Sequence, residues 1–91
     1  MDERIKEMLL APFGGEGSIY KIKKYAIRKS NEKKPLFGPC FLVINNRKAA
    51  VYEILSSGKI SDATDVTGSV DPEKQKKFIS GPFSYKIVKK L

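Results

Sequence analysis

Ninety-one residues with 41% apolar content and nine aromatics (Tyr 4, Phe 5) suffice for one domain with one modest core, a composition that favours a globular fold over wholesale disorder. Histidine is absent and Cys40 is the sole cysteine, which removes Ser–His and Cys–His nucleophile pairs, His-built zinc sites and any intramolecular disulfide. Eighteen basic residues stand against ten acidic ones, a net charge of +8 that points to an anionic partner without naming one.

Residues 2 to 11 read as a short helix. Ile5, Met8 and Leu9 fall at i, i+3 and i+4, Asp2 and Glu3 suit the positive end of the helix dipole, and Pro12 stops the element. Gly14-Gly15-Glu16-Gly17 follows as a turn. A phosphate-binding loop needs the order strand, glycines, helix, whereas here the order is helix, glycines, strand, and Glu16 repels an anion.

Ser18 to Lys29 is rich in Ile and Tyr and reads as a strand. Ile19, Lys21, Lys23, Tyr25 and Ile27 share one side; Tyr20, Ile22, Lys24, Ala26 and Arg28 share the other. Neither side is purely apolar. A bulge near Lys23-Lys24 restores a consistent inward set; alternatively this is an edge strand, where lysine discourages unwanted pairing. Ser30 to Pro35 is a polar loop. Cys40 to Asn45 is apolar on both faces, as a central strand requires, and Cys40 within it reads as a small buried hydrophobe.

Two readings fit Arg47 to Ser57. In the first, Asn45-Asn46 is a two-residue turn and a strand runs through Val51 to Ile54. In the second, Asn46 caps a helix that ends at Gly58. Lys59 to Val70 is a polar loop or a short turn of helix. Its aspartates, with Asp71, lack the alternate spacing of a calcium loop and suit turns and capping instead. Asp71-Pro72-Glu73 reads as a helix start, and the helix buries Phe78 and Ile79 before Ser80-Gly81-Pro82. Phe83 to Lys90 is a last strand, with Phe83, Tyr85 and Ile87 on one face and Lys86, Val88 and Lys90 on the other.

These elements predict an α+β fold over residues 1–91 as a single domain. It is a two-layer sandwich: a small antiparallel or mixed sheet of three to four strands, with two or three short helices packed on one face. The expected core is Ile5, Met8, Leu9, Ile22, Phe41, Val43, Ile54, Phe78, Ile79 and Ile87.

Function is sought in the charge distribution. Between Pro35 and Pro72 three basic residues meet four acidic ones, so the flanks carry the whole surplus. Lys21, Lys23, Lys24, Arg28, Lys74, Lys77, Lys86 and Lys90 are the candidate anion-binding residues, because a basic face gains by releasing counterions from phosphate backbones. Tyr25 and Tyr85 are the candidate stacking rings for single strands. Lysine outnumbers arginine fifteen to three, which argues against base-specific reading, since arginine's planar fork is what pairs with guanine. The expectation is a non-enzymatic basic protein that binds RNA or single-stranded DNA without sequence specificity. The alternative is a protein-interaction or regulatory module that offers a sheet edge at Ser18–Lys29 or Phe83–Lys90 to a partner strand or, as a homodimer, to a second copy of itself. Glu53 is the one acid in a regular, partly apolar segment and has no evident partner for two-carboxylate chemistry. No cofactor or metal is expected. The polar N-terminus and the short apolar runs give a cytoplasmic location without a membrane span as the default.

Overall fold

The computed structural model describes residues 3–27, 36–46 and 48–91, with the side chains of all but 36–38. The helix α1 (Glu3–Leu10) runs into a single 3-10 turn (Ala11–Phe13). Six strands follow: β1 (Ser18–Ala26), β2 (Leu36–Ile44), β3 (Ala49–Glu53), β4 (Thr64–Asp65), β5 (Lys77–Ser80) and β6 (Phe83–Lys90). They form one antiparallel sheet in the order β4-β3-β2-β1-β6-β5, curled into a half-barrel. The expected α+β sandwich of three to four strands under two or three helices is therefore overturned. The described residues hold one short α-helix and a sheet of six strands.

The helix expected from Asp71 to Ser80 accounts for most of the difference. Its start signal is genuine. The Glu73 amide donates to Asp71 Oδ1 at 3.1 Å, and the Lys74 and Gln75 amides donate to the Asp71 carbonyl at 3.1 and 2.9 Å. The turn does not propagate, because the residues three and four before Phe78 are Gln75 and Lys74. No apolar stripe exists for a helix to bury, and short helices depend on such burial. As a strand the same residues do better. Phe78 turns inward and is buried, while Ile79 turns outward and stays 63% exposed.

Register divides the side chains into two faces. Tyr20, Ile22, Cys40, Leu42, Val51 and Tyr85 belong to the inner face, which the curl folds on itself. Phe78 from one edge strand joins the same cluster as Val66, which lies beside the other edge. A sheet that curls over its own inner face needs no helices on that side. On the outer face Ile19, Val43, Ala50 and Tyr52 pack under Leu9 and Phe13, so α1 covers only the β1–β3 part. Of the expected core, Leu9, Ile22, Val43, Phe78 and Ile87 are buried, and Ile5 and Phe41 pack against the buried set. Ile54 is half-buried. Met8 is exposed because α1 meets the sheet through Ile5, Leu9 and Leu10, and Ile79 is exposed on β5, beyond the part that α1 covers.

The hairpin reading of residues 47–57 holds, with a longer turn than the two residues expected. Ile44 pairs with Ala49, and the connection closes through Asn45 N–H to the Lys48 carbonyl (3.0 Å) and Lys48 N–H to Asn45 Oδ1 (3.1 Å). At Gly81-Pro82 the chemistry selects a type II′ turn. Gly81 has φ +58°, and the proline ring holds the next φ negative.

The irregularity expected near Lys23-Lys24 is present, but the extra residues lie in the neighbouring strands. Ile22 pairs with Cys40 and Lys24 with Leu36, so three residues of β2 face Lys23 alone. On the other side Ile22 pairs with Ile87 and Lys21 with Lys89, so Val88 is a one-residue bulge in β6. The edge-strand explanation for the lysines of β1 does not hold, because β1 lies between β2 and β6.

Candidate functional site

The sequence left one geometric question, whether the first and last long strands are neighbours. They are, and β5 lies beyond β6. Lys77 is directly opposite Lys86, and Lys86 is directly opposite Lys23, so three lysines form a row across β5, β6 and β1. Adjacent strands are about 4.8 Å apart, so this row spans roughly 10 Å. One alternation along the strands, Lys89 faces Lys21 in a second row. All five are exposed, and among the described residues none of them meets a carboxylate. They occupy the part of the outer face that α1 leaves open.

The arrangement is electrostatically unfavourable in the free protein, since like charges in directly opposed cross-strand positions destabilise a sheet. It is also what distinguishes these lysines from a soluble coat, whose charges need no alignment.

Lys89 was missed by sequence reasoning, and the cause is the Val88 bulge. Strict alternation puts Lys86, Val88 and Lys90 on one face. The extra residue brings Lys89 to the outer face beside Lys21 and leaves Lys90 opposite Tyr20, on the register of the inner face. A valine between two lysines carries no bulge signal in the sequence.

The other candidates disperse. Lys74 is exposed in the turn before β5 and has no place in the cross-strand rows. Arg28 lies outside the described residues. Lys24 is committed elsewhere: its Nζ donates to Glu53 Oε1 at 2.6 Å and sits 3.9 Å from the centre of the Phe83 ring, largely out of water. That contact supplies the partner for Glu53 that sequence reading did not find. Tyr85 is corrected most firmly. It is 2% exposed and stacked on Phe78, with centroids 4.9 Å apart and planes at 18°, so its ring is core and offers no face to a base. Tyr25 is half-buried and lies opposite Ser84, next to the triple row.

Beneath the Lys24–Glu53 pair lies Cys40, 1% exposed. Burial, reinforced by the Glu53 charge and opposed by that of Lys24, pushes its thiol up to about 11 from 9.0. A buried, protonated thiol is inert as a nucleophile. In the unfolded chain the thiol ionises near pH 9 while the folded one stays neutral. Its contribution to stability is therefore intact below pH 9 and is lost between pH 9 and 11. The expected loss is about 2–3 kcal/mol. Urea titrations across that range should show it in the parent protein, and a Cys40→Ala variant should be flatter.

A surface concavity of about 400 Å³ opens near the Asn45 turn, where Glu16, Asp71 and Glu73 contribute to its lining. Its carboxylates repel anions and set it apart from the lysine rows. No helix among the described residues is long and apolar enough to cross a membrane. Comparison with protein-family models, with curated proteins and with solved structures finds no match.

Proposed function

We propose that this chain is a non-enzymatic binder of RNA or single-stranded DNA, gripping the phosphate backbone through Lys21, Lys23, Lys77, Lys86 and Lys89. The observation that carries the reading is the directly opposed row Lys77–Lys86–Lys23. A polyanion laid across it offsets the repulsion among the lysines and releases its own counterions. Lysine supplies point charges without a fork geometry, so binding is independent of sequence. The edge-pairing alternative loses β1, which lies between β2 and β6, and most of β6, which β5 covers over Phe83–Lys86 but not over Val88–Lys90. The edge strands β4 and β5 are two and four residues long, β5 carries Lys77, and the uncovered end of β6 carries Lys89 and Lys90, so these margins are short and lysine-defended.

Five contacts give a log–log salt slope of about −3.5 for single strands, at roughly −0.7 per phosphate. Fluorescence anisotropy with a labelled oligonucleotide should therefore show affinity falling about 100-fold between roughly 50 and 200 mM salt. A slope near zero excludes the reading.

A further inference from the structure

The outer face beside the lysine rows is not uniformly charged. One alternation past Lys77–Lys86–Lys23, the directly opposed residues are Ile79, Ser84 and Tyr25. None of the three carries a charge. Ile79 is 63% exposed, and Ser84 and Tyr25 are half-buried, each with part of its surface open to water. The two rows are parallel and roughly 7 Å apart, twice the rise of a strand residue. An isoleucine held open to water across the sheet from a tyrosine belongs to neither core cluster, the inner one or the one under α1.

We infer that this uncharged strip seats the bases of a single strand whose phosphates follow the lysine rows. The inference rests on the proposed backbone binding and goes beyond it by fixing which side of the strand meets which row. The strand runs across β5, β6 and β1, perpendicular to them. Tyr25 stacks one base and Ile79 gives apolar contact to another, and both are indifferent to base identity because every base has a π-face. A duplex satisfies the lysines equally well but keeps its bases inside, so the strip gains nothing from it. The face therefore prefers single strands over duplexes of equal length.

The test compares a labelled oligothymidine, a blunt duplex of the same length and phosphatidylserine vesicles at matched salt. The expected result is roughly tenfold tighter binding of the oligothymidine than of the duplex, in line with one or two base contacts. Ile79→Ser and Tyr25→Ala should remove the preference without changing the salt slope, and Tyr25→Phe should keep it. Far-UV circular dichroism and melting curves check that each variant folds, and Ile79→Ser at an exposed position carries the result if Tyr25→Ala does not. Equal binding of single strand and duplex, with the expected salt slope, overturns the inference and leaves backbone binding standing. Absence of binding to both nucleic acids overturns both. Tighter binding to the vesicles than to the oligothymidine also overturns the inference, because the same alternation of cationic and apolar rows then faces a lipid surface.

Discussion

Tyr85→Ala should lower stability by about 3–5 kcal/mol, the usual cost of emptying a buried aromatic site. A chain of 91 residues commands only about 5–14 kcal/mol in total, so the variant should be at the margin of folding at ambient temperature. Tyr85 is at the centre of the inner cluster, and its ring covers Phe78 from the edge strand. Removing it deprives β5 of the stacking contact that holds its one buried side chain, beyond the cavity itself. Tyr85→Phe keeps the ring and the stacking and should cost about 1 kcal/mol or less. Urea unfolding followed by far-UV circular dichroism measures both. The pair also discriminates between roles. A base-stacking tyrosine would lose affinity on conversion to alanine while the fold remained intact. A core tyrosine loses the fold first, and that is the outcome the burial of Tyr85 demands.

Tyr85 also shows where the sequence is ambiguous. A tyrosine beside a lysine on a strand fits a stacking platform and a core position equally well. Only the curl of the sheet, which folds the face bearing Phe83, Tyr85 and Ile87 onto Phe78 and Val66, decides for the core. The long strands were legible because their evidence is local. Alternation in Phe83 to Lys90, the doubly apolar run at Phe41 to Ile44 and the stripe Ile5–Leu9 each need only their own residues. Strands β4 and β5 were not legible. Thr64–Asp65 is two residues long and polar, and its pairing with Val51 and Ala50 is a property of the partner strand. Lys77–Ser80 follows a well-formed capping sequence, so the local signal favours a helix that has nothing to bury. The adjacency of β1 and β6 joins residues 57 to 70 positions apart in the chain and leaves no local trace. Yet it creates the candidate site, since Lys23 and Lys86 become neighbours only through it. The Val88 bulge then exchanged Lys90 for Lys89, a substitution no periodicity argument could anticipate.

Lys86→Glu should make the protein more stable and its proposed binding much weaker. Lys86 stands between Lys77 and Lys23 and is directly opposed to both. A glutamate there replaces two like-charge oppositions by two opposite-charge pairs, each worth about 0.2–1 kcal/mol at an exposed site. The urea midpoint should rise accordingly, and the gain should shrink with added salt, because exposed charges are screened over about 10 Å at roughly 0.1 M. Binding moves the opposite way. One contact is removed and the two flanking ammonium groups are drawn to the new carboxylate, so up to three of five contacts are compromised. Each is worth about eightfold at roughly 50 mM salt, which puts the total loss near 100-fold or more. Lys86→Gln, which removes the charge without a counter-charge, should lose about tenfold and flatten the salt slope by about 0.7. If the lysines only keep the surface soluble, the same variants gain stability and have no binding to lose. A row that is costly to the free protein and productive only under a polyanion predicts the two effects together, in opposite directions, from one substitution.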